Sequence, residues 1–171
     1  MKFFDRKEQL AQLSEMKTRS YGNHSMLTVV TGRRRIGKTT LIDRSMDGEA
    51  YLYFFVGKKN EAVLCNEFAS EIRSKLDLFV PSGITSFCDI YTLLMEAGVN
   101  RKFTLVIDEF QNFDEVNPSV FSDIQKIWDK YRLKTHVNMI VSGSVYSLMT
   151  KLFKNKKVLA IAGICLVFCL F

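Results

Sequence analysis

Residues 32–39 read Gly32-Arg33-Arg34-Arg35-Ile36-Gly37-Lys38-Thr39, which is the pattern G-x-x-x-x-G-K-[ST] of a phosphate-binding loop, or P-loop. The two glycines permit a tight turn that brings backbone N–H groups against phosphate oxygens. Lys38 is placed to contact the β- and γ-phosphates of a nucleotide, and the Thr39 hydroxyl is placed to ligate Mg²⁺. The pattern therefore predicts that residues 32–40 bind a nucleotide, with Thr40 in the helix that follows.

The residues on either side of this loop have the order that the pattern requires. Met26-Leu27-Thr28-Val29-Val30 is typical of a β-strand, and Thr40-Leu41-Ile42 continues the chain as a helix. The N-terminus of a helix carries a partial positive charge, which favours phosphate. We therefore predict a strand over residues 25–31 and a helix over residues 37–46.

A second stretch, Phe103-Thr104-Leu105-Val106-Ile107-Asp108-Glu109, is a β-forming run that ends in two acids. It predicts a buried parallel strand, and ligands bind at the carboxyl ends of such strands. Asp108 is placed to hold Mg²⁺ through its water shell, and Glu109 to polarise an attacking water. Thr39 and Asp108 are therefore the predicted metal residues, and Lys38 and Glu109 the predicted catalytic residues.

Strand-like and helix-like segments alternate along the whole chain. This alternation predicts an α/β fold, a three-layer sandwich with a mostly parallel sheet. The pattern at residues 32–39 predicts that this sandwich is the core of a P-loop NTPase. Asn60 is expected to cap a helix, Ser86 and Asp89 have the spacing of a capping box, and Asn117-Pro118 is expected to begin another helix. The helix after Asn60 is predicted to face the core with Val63, Leu64, Phe68, Ile72 and Leu76.

The composition favours one globular domain. The 171 residues are 47% hydrophobic, which is enough for a core, and the net charge of +6 is only a mild bias toward phosphates. Arg33, Arg34 and Arg35 could form a solvated face or contact the phosphates of a partner, and the sequence leaves both open. The four cysteines lack C-x-x-C spacing, so we expect free thiols, no metal cluster and a cytoplasmic protein.

Four stretches together resemble a known family. They are Phe4-Asp5-Arg6-Lys7-Glu8, the loop at residues 32–39, Val106-Ile107-Asp108-Glu109-Phe110-Gln111 and Val141-Ser142-Gly143-Ser144. This set resembles the prokaryotic "archaeal ATPase" family, in the AAA+/STAND branch of P-loop NTPases. The resemblance implies ATP rather than GTP, with residues around Phe4 and Arg6 near the adenine. It also implies that Gln111 and either Ser142 or Ser144 lie near the γ-phosphate.

The last fourteen residues, 158–171, are apolar and depart from the family pattern. Family members continue into another strand, a helical lid and a winged helix, so we expect a truncated or frame-altered product. The ATPase domain is accordingly drawn over residues 3–157. The tail is shorter than the roughly 20 residues of a membrane-spanning helix, which disfavours a membrane partner. A last strand and a non-native end both remain open.

Two functions compete on these residues. The first is Mg²⁺-dependent binding and slow hydrolysis of ATP, slow because the arginines of a family lid are absent. The second is a nucleotide-dependent binding switch with little or no hydrolysis. A small-molecule kinase is less favoured, because kinases do not need the acid that Glu109 supplies. Self-association and nucleic-acid binding are left open.

Overall fold

The computed structural model describes residues 6–144 and 164–169. The helices in this part of the chain are α1 (Lys7–Gly22), α2 (Lys38–Ser45), α3 (Glu61–Leu76), α4 (Phe87–Ala97), α5 (Phe113–Val116) and α6 (Val120–Tyr131). The strands are β1 (Met26–Gly32), β2 (Leu52–Phe55), β3 (Lys102–Asp108), β4 (His136–Gly143) and β5 (Ile164–Cys169). Two short 3₁₀ turns cover Phe110–Asn112 and Arg132–Lys134. No helix among these residues is both long enough and apolar enough to cross a membrane.

The five strands form one sheet in the order β2-β3-β4-β1-β5, and every neighbouring pair is parallel. Parallel strands need crossover connections, and these put helices on the faces of the sheet. β1 lies between β4 and β5, with Val29 opposite Val141 on one side. The predicted α/β fold with a mostly parallel sheet is confirmed.

Two hydrophobic clusters cover the two faces of the sheet. On one face, Leu13 of α1 and Leu41 of α2 pack with Val30, Val106 and Ile140. The other face packs against α3, α4 and α6 and contains most of the buried aromatic rings. The rings of this larger cluster pack in pairs, with Phe54 stacked on Phe68 at 4.2 Å between centroids. The three layers are therefore helices, sheet and helices.

Strand β5 falls inside the apolar tail. It pairs with β1 from Leu27 opposite Ile164 to Gly32 opposite Cys169. A last strand was one of the interpretations of the tail, and Ile164–Cys169 forms one. Residues 158–163 and 170–171 lie outside the described residues, so the domain boundary at residue 157 stays a prediction.

Helix α3 begins as predicted, but one of its predicted core residues is wrong. The Asn60 side chain accepts a hydrogen bond from the backbone N–H of Ala62 at 2.8 Å, so it caps the helix. Leu64, Phe68 and Ile72 are buried, whereas Val63 is 46% exposed. Val63 is the neighbour of Leu64, and adjacent residues on a helix point about 100° apart.

The start of α4 is stabilised by Glu61, a residue of α3. Ser86 makes no side-chain capping bond, so the predicted capping box is wrong. Instead the Glu61 carboxylate of α3 accepts a hydrogen bond from the Phe87 backbone N–H at 2.8 Å. Its second oxygen accepts one from Asn117 Nδ2 at 2.8 Å. A distant acid therefore replaces the local cap.

The helix predicted to begin at Asn117-Pro118 begins at Val120. The Asn117 side-chain oxygen accepts hydrogen bonds from the Ser119 backbone N–H at 3.2 Å and from its hydroxyl at 2.8 Å. This local bonding favours a turn before the helix. The short helix α5 ahead of it was not predicted.

Candidate nucleotide-binding site

The 32–39 loop connects the end of β1 to the start of α2. Arg35 has a φ of +62° and Gly37 a φ of +82°, both in the left-handed region. Left-handed residues in a tight loop turn successive N–H groups toward one concavity, which suits an anion. Glycine tolerates this conformation, but in an L-residue such as Arg35 it costs roughly 1–2 kcal/mol. Such strain is typical of ligand-binding loops.

Lys38 is held inside the curve of this loop. Its side chain is mostly buried, and Nζ donates hydrogen bonds to the carbonyl oxygens of Gly32 at 3.2 Å and Arg33 at 3.0 Å. A buried ammonium needs partners, and here the loop backbone supplies them. Hydrogen bonds from an ammonium to an anionic oxygen are stronger than those to a neutral carbonyl. The arrangement can therefore exchange carbonyls for phosphate oxygens.

Asp108 stands at the end of β3 and is almost fully buried. One carboxylate oxygen, Oδ1, accepts hydrogen bonds from the Ser142 hydroxyl and from the Glu109 backbone N–H, the latter at 2.9 Å. The other, Oδ2, accepts from the Tyr53 hydroxyl at 2.6 Å and from the Thr39 hydroxyl at 3.3 Å. The two predicted metal residues, Thr39 and Asp108, are therefore in contact.

Tyr53 is the residue of this cluster that sequence reasoning missed. Tyr53 lies on β2, where it is paired with Val106 of β3. Val106 and Asp108 are two residues apart on β3, so Tyr53 and Asp108 lie on the same face of the sheet. Burial raises the pKa of the Tyr53 hydroxyl far above its ordinary value, and the bond to Asp108 raises it further. The phenol therefore remains a donor. The sequence indicated only that Tyr53 is an aromatic residue on a predicted strand. It did not indicate that this strand lies beside the strand that ends in Asp108.

Glu109 is held by its neighbours rather than extended into solvent. Its φ of +53° is again left-handed. The carboxylate accepts a hydrogen bond from the Gln111 side-chain amide. Phe110, between them, is buried and packs edge-on against Phe113 at 5.7 Å between centroids. Gln111 thus contacts the predicted catalytic acid.

These groups surround an open cavity of about 460 Å³. It is lined by Arg34, Arg35, Gly37, Lys38, Thr39, Thr40, Asp108 and Glu109. Its size lies in the usual range for small-molecule sites. The remaining predicted site residues lie next to the lining. The Gly32 and Arg33 carbonyls contact Lys38, Gln111 contacts Glu109, and Ser142 contacts Asp108.

The backbone of Ile36 is held by a residue that lies outside the loop. Its carbonyl oxygen accepts a hydrogen bond from Arg6 Nη2 at 2.5 Å. Arg6 precedes α1, so this bond ties the start of the chain's first helix to the loop. The adenine contact expected of Phe4 lies outside the described residues. Arg6 itself is placed against the loop backbone.

The residues present fit a magnesium ion bound together with phosphate. Thr39 and Asp108 offer a hydroxyl and a carboxylate, and hard oxygen donors are what Mg²⁺ prefers. Among residues 6–144 and 164–169, no three His, Cys, Asp or Glu side chains group to form a metal cage. A site with one carboxylate suits an ion that keeps several waters and takes the rest of its ligands from substrate phosphates.

Several solved archaeal structures are similar to this one. Cdc6p from Pyrobaculum aerophilum has a TM-score of 0.65 at 19% identity, over 96% of this chain and 45% of that one. The Walker-type ATPase paby2304 of Pyrococcus abyssi has a TM-score of 0.62 at 21% identity, over 97% and 54%. The Aeropyrum pernix ORC1 protein, solved in complex with DNA, has 0.60 at 13%, over 94% and 44%. At these identities the likeness shows the fold.

Two curated proteins of Methanocaldococcus jannaschii are similar in sequence. The uncharacterized protein MJECL04 is 29% identical over 149 residues, which is 86% of this chain and 30% of that protein. The uncharacterized protein MJ0424 is 36% identical over 56 residues, 33% of this chain and 54% of that protein. The chain thus spans about a third to a half of the length of these relatives.

The family comparison covers almost all of the chain. The family described as "ATPase domain predominantly from Archaea" matches residues 3–161. This range includes the 32–39 loop, the acid-ended strand β3 and strand β4. The match confirms the resemblance inferred from those stretches. The chain therefore belongs to this family of ATPase domains.

Proposed function

We propose that this chain binds ATP with Mg²⁺ in the cavity beside the 32–39 loop and hydrolyses it slowly. The contact between the Thr39 hydroxyl and Asp108 Oδ2, at 3.3 Å, carries the proposal. It joins the loop to the acid-ended strand at the edge of a cavity that Lys38 also lines. Family membership and the fold of the archaeal neighbours support the same function.

Three parts of the loop have separate tasks in this proposal. The backbone N–H groups around Gly37 bind phosphate oxygens, aided by the N-terminus of α2. Lys38 leaves the carbonyls of Gly32 and Arg33 and binds the β- and γ-phosphates, where its charge is better compensated. Thr39 turns its oxygen from Asp108 toward the metal. When bound, Mg²⁺ neutralises charge on the phosphates.

Glu109 orients and deprotonates the attacking water in this scheme. The Gln111 amide donates a hydrogen bond to one oxygen of this carboxylate, Oε2, so the other oxygen is left to accept the proton of the water. An arginine placed on the transferred phosphoryl group can add about 10³–10⁵ in rate. Arg34 and Arg35 line the cavity but are exposed, and no hydrogen bond or ion pair joins either side chain to another residue of 6–144 or 164–169.

The bonds between Lys38 and the loop carbonyls favour a second candidate, a nucleotide-dependent switch with little hydrolysis. Loss of the Lys38 bonds to the loop would change the loop when ATP binds, and the exposed Arg33, Arg34 and Arg35 lie on that loop. A change there could alter contacts with a polyanion or another copy of the chain. The ORC1 neighbour was solved with DNA. The exposed charge of these arginines would attract the phosphates of a nucleic acid.

Thermal unfolding with and without Mg·ATP tests the binding proposal. A ligand at about 100 times its dissociation constant stabilises the folded state by roughly 2.7 kcal/mol. The unfolding midpoint should rise in the parent protein and in Lys126→Ala, whose side chain is exposed on α6. It should not rise in Lys38→Ala. An equal rise in all three proteins would place the ATP site elsewhere.

Phosphate release separates the two candidate functions. The ATPase proposal expects slow release that needs Mg²⁺, and the switch expects tight binding with no release above background. The measurement should cover a wide dilution series, because a second copy could supply an arginine. Ordinary enzymes turn over at about 1 s⁻¹ or faster. Turnover of this chain at such a rate at every dilution would contradict slow hydrolysis.

A further inference from the structure

The Asp108 carboxylate accepts four hydrogen bonds. The Ser142 hydroxyl and the Glu109 backbone N–H bind one oxygen, and the Tyr53 and Thr39 hydroxyls bind the other. A carboxylate has about four lone-pair sites, so the protein already occupies all of them. A water of a hydrated metal ion is also a hydrogen-bond donor, so one of the four must leave before it can bind there.

The two donors on Oδ2 differ in strength and in position. Thr39 is the weaker, at 3.3 Å, and it lines the cavity. The Tyr53 bond is 2.6 Å, and Tyr53 is not among the residues that line the cavity. Tyr53 therefore approaches Asp108 from the side of strand β2. Thr39 is the donor that can leave, and Tyr53 is the donor that stays.

We propose that Tyr53 is a positioning residue for Mg²⁺, holding Asp108 Oδ2 toward the place that Thr39 vacates. This inference rests on the function proposed above. The position of the Tyr53 backbone is fixed by two contacts. Its N–H donates a hydrogen bond to Glu71 Oε1 at 3.3 Å, and its strand β2 is paired with β3. Hydrogen-bond partners of metal-binding carboxylates act in this way, and their loss commonly weakens metal affinity about 10–100-fold.

The test is Tyr53→Phe, which removes the hydroxyl and keeps the ring that packs beside α2. The matched control is Tyr51→Phe, two residues earlier on the same face, whose hydroxyl bonds Asp43 at 3.3 Å instead. Binding of a fluorescent N-methylanthraniloyl ATP is measured at increasing Mg²⁺ and separately in excess EDTA. This readout does not depend on hydrolysis.

We expect Tyr53→Phe to need about ten times more Mg²⁺ than the parent for half-maximal tight binding. Its affinity in EDTA should match that of the parent, and Tyr51→Phe should match the parent in both conditions. An unchanged or lowered Mg²⁺ requirement in Tyr53→Phe would overturn the inference and leave the ATP site intact. A parent protein that binds no nucleotide under either condition would overturn the proposed function and this inference together.

A double-mutant comparison separates positioning from a general loss of structure. If Tyr53 acts through Asp108, the Tyr53→Phe change should have no further effect on the Mg²⁺ requirement in an Asp108→Asn background. Thermal melts of the nucleotide-free proteins accompany it, to show that both variants fold. Additive effects of the two substitutions would contradict the assignment, because they would mean that Tyr53 acts elsewhere.

Discussion

The Ser142 hydroxyl of β4 donates a hydrogen bond to the Asp108 carboxylate at the end of β3. The two strands are parallel neighbours, with Ile107 opposite Val141, so their last residues meet at one edge of the sheet. Family resemblance had implied that Ser142 or Ser144 senses a phosphate. Ser142 is fully buried, and its hydroxyl is used by the acid. We infer that it influences the site through Asp108.

Replacing Ser142 should destabilise the fold even without nucleotide. Ser142→Ala removes one donor from a buried carboxylate, and hydrogen bonds to charged groups contribute about 1.5–3 kcal/mol. Urea unfolding should show a loss in that range, whereas Ser122→Ala should change stability little, because Ser122 is exposed and its hydroxyl donates to the neutral Ser119 carbonyl. A Ser142→Ala protein as stable as the parent would mean that Asp108 is satisfied in another way.

Replacing Glu109 should remove hydrolysis and keep binding. Glu109→Gln retains the shape of the side chain and removes the charge that accepts a proton from water, a change that typically lowers rates about 10²–10⁴-fold. Phosphate release and Mg·ATP-induced stabilisation are measured on the same samples. The control is Glu115→Gln, an exposed residue that pairs with Lys58. Equal phosphate release by Glu109→Gln and the parent would exclude Glu109 from the chemistry.

Replacing Glu61 should loosen the start of α4. Glu61→Ala leaves the Phe87 N–H and the Asn117 side-chain amide without their acceptor, and loss of a helix cap typically costs about 0.5–2 kcal/mol. Denaturant unfolding measures the loss. Glu67→Ala on the same helix breaks an exposed ion pair with Lys59, so it should change stability by less than about 1 kcal/mol. The reverse order of effects would contradict the capping role.

Two glycine-to-alanine substitutions should differ in their effect on stability. A Cβ at Gly98 would lie 2.5 Å from Val137 Cγ2, inside the buried core, so Gly98→Ala should destabilise by about 1–3 kcal/mol. A Cβ at Gly22, in the last turn of α1, meets nothing within 4 Å. Gly22→Ala should therefore be neutral or stabilise by up to about 1 kcal/mol. Thermal melts of both variants check the pair, and a stable Gly98→Ala would mean that Val137 can move aside.

Local features of the sequence were enough to predict the loop, the acid-ended strand and the parallel sheet. The 32–39 loop was predictable because its glycines, Lys38 and Thr39 act within one continuous segment. The alternation of elements and the apolar run before Asp108 depend on neighbouring residues in the same way. The cap at Asn60 is also local, and it too was confirmed.

Contacts between distant segments were not predictable from patterns along the chain. Tyr53 and Ser142 bond Asp108 only because β2 and β4 lie on either side of β3, and strand order is not written in any one strand. The Glu61 cap on α4 replaced a local serine for the same reason, since the packing of α3 brings a stronger acceptor to that helix start. The sequence therefore predicts which chemical groups form the candidate site. Their partners are set by how the sheet and helices pack.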